Sequence, residues 1–179
     1  MNIGLVGLEG DVQRAMLAAK WFPADSITLK SSLRIAADVV LRRPYPDAPV
    51  SSLYFFGRIQ DLAFERPVGD DPRQRHHVRY WRSSELDQDG RPMWFGAATM
   101  DVHVGLSHDT GQITHHIGPD VDAERDKIIA DINAAGDLAS VYWVDNFHKE
   151  LNGKNGGGDA WHTDGRLAVC VIAIAGHAP

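Results

Sequence analysis

The chain has 179 residues, 44% of them hydrophobic and 23% charged, enough for one full core without need of a second domain. A formal net charge of -6 argues against a general nucleic-acid or anionic-membrane surface. The single cysteine, Cys170, excludes an intrachain disulfide, and the longest apolar run, Leu167 to Ala175, is too short to cross a bilayer as a helix.

Met1 is followed by no basic stretch and long apolar segment, so no signal peptide is expected, and a cytoplasmic setting or one peripheral to a membrane fits. Asn2 to Leu8 reads as a short strand. From Asp11 to Ala19 a helix is expected, with Val12, Ala15, Met16 and Ala19 on one face. A second helix is expected from Ser26 to about Leu41, where Leu29, Leu33, Ala36, Ala37 and Val40 recur at helical spacing before Pro44-Tyr45-Pro46 stops it.

From Val50 the pattern changes to strands. Ser52–Phe64, Gln74–Ser83, Met93–Gly105 and Gln112–Gly118 are rich in aromatic and β-branched residues, and Gly69-Asp70-Asp71-Pro72, Asp87-Gln88-Asp89-Gly90 and Asp109-Thr110-Gly111 separate them as turns. Pro119-Asp120 opens a helix to about Ala135, with Val121, Ile128, Ile129 and Ile132 on one face and Gly136 as the stop. Leu138–Phe147 and Arg166–Ala175 close the pattern as two strands around a glycine-rich loop, Gly153 to Gly158. The expected class is α+β: an antiparallel sheet meander with two N-terminal helices and one helix after the fourth meander strand, in a single domain over residues 1–179.

Chemistry concentrates on three of these strands. Nine histidines are present, and four form adjacent pairs, His76-His77 and His115-His116. Alternation puts Trp94, Gly96, Ala98, Met100 and Val102 on the core face, which turns Thr99, Asp101 and His103 to the other. Applied to the flanking strands, the same rule turns Arg75, His77, Arg79, Thr114 and His116 to that second face, with His76 and His115 on the core side. A single β-bulge would break this alignment.

Residues 58 to 91 hold seven arginines (58, 66, 73, 75, 79, 82, 91) and no lysine, beside seven acids (61, 65, 70, 71, 85, 87, 89). Guanidinium forks grip carboxylate or phosphate at two points, so Arg75 and Arg79 are candidates for binding an anionic small molecule or phosphate-containing ligand; the competing reading is cross-strand ion pairing. Asp101, His103 and His116 are a candidate set for a divalent transition metal, although no spacing motif supports one. His77, His116 and Asp101 are the candidate catalytic groups, as general acid, general base and orienting carboxylate. The structural alternatives are hydrogen-bonded core histidines at 76 and 115, helix-capping roles for Asp120 and Asp122, and a buried inert thiol at Cys170. His108, His148 and His177 carry no assigned role.

Five stretches resemble, in order, the motifs of the LssY-like C-terminal domain family. They are Gly57 to Glu65, Arg75-His76-His77-Val78-Arg79-Tyr80-Trp81, Trp94 to Asp101, Thr114-His115-His116-Ile117-Gly118-Pro119-Asp120-Val121-Asp122-Ala123-Glu124-Arg125, and Thr163-Asp164-Gly165-Arg166. The resemblance covers nearly the whole chain. It implies a setting near membranes and phosphate esters, because the family's domain commonly follows membrane segments of lipid-phosphatase type, and a membrane phosphatase-type protein as partner. It implies no defined activity. The chain shows no membrane segment and no phosphatase motif of its own, so a free-standing version or a portion of a longer protein is expected. Two functions remain open: a ligand- or partner-binding domain whose polar face suits anions, or a phosphate-ester hydrolase.

Overall fold

A computed structural model describes residues 1–24, 53–69, 71–106 and 113–174, with the backbone alone described at 71–73, 103–106 and 113–115. The elements are β1 (Ile3–Val6), α1 (Glu9–Ala18), β2 (Phe22–Pro23), β3 (Tyr54–Phe55), β4 (Arg58–Ile59), β5 (Leu62–Val68), β6 (Asp71–Leu86), β7 (Pro92–Leu106) and β8 (Ile113–Ile117). They are followed by α2 (Val121–Ala134), β9 (Leu138–Val144), β10 (Asn152–Lys154), β11 (Ala160–His162) and β12 (Leu167–Ile172).

One sheet dominates, in the order β2-β5-β6-β7-β1-β12-β9, with β8 added to β7. The long strand β7 has β6 along one edge; its other edge is shared, β1 pairing at residues 93–96 and β8 at 101–106. The class is therefore mostly β and the sheet mixed, which corrects the expected α+β antiparallel meander. The first strand does not stand apart from the meander. It inserts into the middle of the sheet, antiparallel to β7 and parallel to β12.

The physical reason is visible in the two strands concerned. Ile3, Gly4, Leu5 and Val6 are all buried, as are Leu167, Ala168, Val169 and Cys170. A strand covered on both faces reads as an unbroken apolar run, whereas alternation marks a strand with one face in water. The two unbroken runs are the central strands; the alternating ones flank them. Of the two N-terminal helices expected, α1 is present, and the segment from Ser26 to Leu41 lies outside the described residues.

Both α1 and α2 pack on one face of the sheet. Val12, Ala15 and Met16 of the first and Ile128 and Ile132 of the second join Ile3, Leu5, Phe64, Val78, Tyr80, Trp94 and Cys170 in the main core. Gly96 permits the close approach at its centre: a Cβ there would stand 2.6 Å from the Tyr80 ring and 2.7 Å from Ile3. Burial pushes the Cys170 thiol up to about 12, as expected of an inert core cysteine. A further correction concerns residues 153 to 158. Gly153 and Lys154 are part of strand β10 and the rest form the turn of a β10–β11 hairpin, which Asn155 closes by accepting the amides of Gly157 and Asp159 on its side-chain oxygen. No helix among the described residues is long and apolar enough to cross a membrane.

Candidate functional site

The candidate residues meet where β5, β6 and β7 run side by side. Cross-strand register places Arg75 opposite Asp101, His77 opposite Thr99 and Glu65, and Arg79 opposite Ala97 and Ala63. Opposed residues share a face in an antiparallel ladder, so three strands deliver these side chains to one patch. Exposure is 7% for Arg75, 4% for His77 and Arg79, and 2% for Asp101. Groups this deep require partners, because an uncompensated buried charge costs several kcal/mol.

Arg75 donates from Nε to Asp101 Oδ2 at 3.1 Å and from Nη1 to Glu65 Oε2 at 3.0 Å. Two carboxylates thus hold it, one directly across the ladder and one diagonally. Asp101 uses its other oxygen, Oδ1, at 2.8 Å from His77 Nε2. Thr99 Oγ1 lies 3.0 Å from the same nitrogen, and Arg79 Nη1 lies 3.2 Å from His77 Nδ1. A guanidinium only donates, so Nδ1 must be the acceptor. This assigns the ring proton to Nε2, which donates to Asp101. His77 is held through both nitrogens, and the four residues Arg75, His77, Arg79 and Asp101 form one connected network.

His116 is placed differently. A register shift between Asp101 and His103 sets Ile117 opposite Asp101, and His116 opposite His103. One extra residue on β7 interrupts the alternation, so the face read for Asp101 does not carry over to the residues beyond it. His116 Nδ1 is bonded to Asp159 Oδ1 at 2.5 Å, and Asp159 Oδ2 accepts the Ile117 amide at 3.2 Å. Burial raises the Asp159 carboxyl, but the bonds from His116, the Ile117 amide and Asn155 outweigh it and leave the group below its usual range. Of the expected metal set, Asp101 and His116 are described and the side chain of His103 lies outside the described residues. Among the described residues no group of three or more His, Cys, Asp or Glu is placed to hold a metal ion. Both oxygens of Asp101 are engaged, one by Arg75 and one by His77.

The core-side histidine His76 is bonded through Nδ1 to Glu124 of α2 at 2.7 Å and packs 6.1 Å from the Trp21 ring. Its structural reading stands; the His115 side chain lies outside the described residues. Asp120 caps α2 by accepting the amides of Asp122 and Ala123.

A second buried network ties α2 to the segment before β12. Arg125, 1% exposed, grips Asp164 with two bonds of 2.9 and 3.1 Å and reaches Asp122 at 3.2 Å. The Asp122 carboxylate in turn accepts the Thr163 hydroxyl at 2.8 Å. Trp143 lies between Arg125 and Arg166, at 4.7 and 4.5 Å from their guanidinium carbons.

His77 of the β6 pair thus stands at the centre of one network, and the Asp120 to Arg125 and Thr163 to Arg166 stretches supply the other. Residues 1–167 match the family described as LssY C-terminus. The chain belongs to that family. No curated protein and no solved structure matches it. In this LssY C-terminus domain the family stretches divide by role. Arg75 to Trp81 and Trp94 to Asp101 build the His77 network, while Asp120 to Arg125 and Thr163 to Arg166 fasten the α2 terminus to the sheet.

Two members of the site were not singled out by the sequence. Glu65 stands there only as one of seven acids between residues 58 and 91, and cross-strand register alone sets it beside Arg75. Asp159 had a local signal: Asn155 followed by three glycines and an aspartate is a hairpin-turn composition, which places Asp159 at the base of a hairpin.

Proposed function

We propose that this domain is a ligand- or partner-binding module whose Arg75, His77, Arg79 and Asp101 face takes a small anion, a phosphate-containing molecule foremost. The observation that carries the binding reading is the double engagement of His77. A general base needs a ring nitrogen turned to its substrate, and here Asp101 and Thr99 hold Nε2 while Arg79 holds Nδ1. The anion reading draws on the same arrangement: the Arg79 guanidinium and the Thr99 hydroxyl meet the His77 imidazole, and Arg75 joins it through Asp101. An oxyanion exchanging with Glu65 on Arg75 would gain charge-assisted bonds on the order of 1.5–3 kcal/mol each.

A specific observation favours the alternative, a phosphate-ester hydrolase. The His116–Asp159 pair has the form in which a carboxylate orients an imidazole for proton transfer or for metal ligation, with Asp159 in the role first given to Asp101. A divalent transition metal would belong to this reading. The membrane phosphatase-type partner rests on the family resemblance alone.

The test is a melting series in phosphate against chloride at matched ionic strength, run on the wild type and on Arg79→Lys. Phosphate should raise the melting temperature of the wild type only, because lysine offers no two-point fork. Equal shifts in both proteins reject the anion site. Turnover of a phosphomonoester and phosphodiester panel, with and without divalent metal, that is abolished in His116→Gln would replace the binding reading by the hydrolase.

A further inference from the structure

A cavity of about 300 Å³ opens beside Thr99, with Ala97, Val121, His148, Glu150 and Trp161 among its walls. It touches the His77 network only through Thr99; the remaining walls come from Met1 and Asn2, from β7 at Ala97 and Ala98, from α2, and from the chain between β9 and β12. The polar groups around it divide into committed and uncommitted ones. The Asn2 amide is bonded to the backbone of Ala98 and Val121, and the Thr163 hydroxyl donates to Asp122 and accepts from Gly165. His148 donates from Nε2 to the Met1 carbonyl, and the Phe147 ring meets it edge-on at 4.8 Å.

Two groups are turned to recognition. Trp161 pairs across the hairpin with Gly153, where a Cβ would lie 2.8, 3.1 and 3.3 Å from three atoms of the indole. The indole therefore packs closely on the glycine backbone, and Trp161 is at the same time a wall of the cavity. Glu150 is exposed and lines the same cavity. A carboxylate, an electron-rich aromatic ring and small apolar walls at Ala97 and Val121 are the chemistry that receives an organic cation.

We infer that this cavity binds a small organic ammonium ion, its charge between Glu150 and the Trp161 indole and its alkyl groups against Ala97 and Val121. The site stands apart from the anion reading, and either can fail without the other. The test is titration of the full chain with tetramethylammonium chloride and with butylammonium chloride, against sodium chloride at equal ionic strength, followed by tryptophan fluorescence. A saturable change is expected with the ammonium salts only, weakened about tenfold or more in Glu150→Gln and altered in amplitude in Trp161→Phe. Because Glu150 is exposed, Glu150→Gln should melt with the wild type, so its loss of binding is not loss of fold. No saturable change with either ammonium ion, or an undiminished one in Glu150→Gln, overturns the site. Phosphate titrated in parallel reports on Arg75 and Arg79, so failure of one reading is distinguished from failure of the other.

Discussion

Both arginine networks centre on buried guanidiniums, but Asp126 and Asp164 beside Arg125 reach the surface while Asp101 and Arg79 beside His77 are buried. Around Arg125 the partners are carboxylates and an indole: Asp164 takes a two-point grip, Asp122 and Asp126 take single bonds, and Trp143 lies over the guanidinium. These contacts join one end of α2 to the chain just before β12. Around His77 the carboxylates Asp101 and Glu65 are joined by an imidazole and a threonine hydroxyl, and Arg79 is bonded to that imidazole. Arginine density alone therefore does not mark a site. What sets the two apart is the imidazole bonded to Arg79; among the described residues the Arg125 cluster holds none.

The comparison can be broken most directly at Arg125. Arg125→Ala leaves Asp164 and Asp122 without their buried cation, and urea unfolding should show a loss of about 3–5 kcal/mol. A loss under about 1 kcal/mol would mean that the Arg125 cluster is no clasp.

A matched pair of hydroxyl deletions sharpens the contrast. Thr163 donates to the Asp122 carboxylate, so Thr163→Val should cost about 1.5–3 kcal/mol, the range for a bond to a charged group. Thr99 meets a ring nitrogen that Asp101 already holds, so Thr99→Val should cost about 0.5–1.5 kcal/mol. Denaturant midpoints of the two variants give the order. The reverse order would make the His77 network the clasp.

The smallest expected effect is on acid stability. Burial raises the Asp164 carboxyl, yet the bonds from Arg125 and Arg166 prevail and hold it well below the usual carboxylate range. A carboxyl with a depressed folded-state value stabilises the fold at pH above its unfolded value, about 3.9, and that contribution fades as pH falls below it. Its side chain is 33% exposed, which weakens the effect through solvent screening. Melting between neutral pH and about pH 3 should therefore fall less steeply in Asp164→Asn than in the wild type. Parallel slopes would remove Asp164 from the acid response.

Much of the site was legible before the fold. Alternation along β6 and β7 collected Arg75, His77, Arg79, Thr99 and Asp101, because side chains of period 2 on paired strands must share a face. It failed at His116, where the register shift after Asp101 is a feature of backbone pairing that composition does not announce. The choice between anion fork and ion pair at Arg75 was equally invisible. Glu65 and Asp101 are only two of several acids nearby in sequence, and register alone brings them to the guanidinium.

By itself, the sequence determined the strand-rich body, the capped helix behind Asp120, the inert Cys170 and the family, since each rests on local periodicity, local capping or ordered motifs. The tertiary structure alone decided that β1 enters the sheet between β7 and β12, that His77 is held through both nitrogens, and that His116 answers to Asp159. Those outcomes depend on which strand edges meet. Edge pairing joins residues nearly a hundred positions apart, such as Ile3 and Gly96, and local sequence holds no record of it.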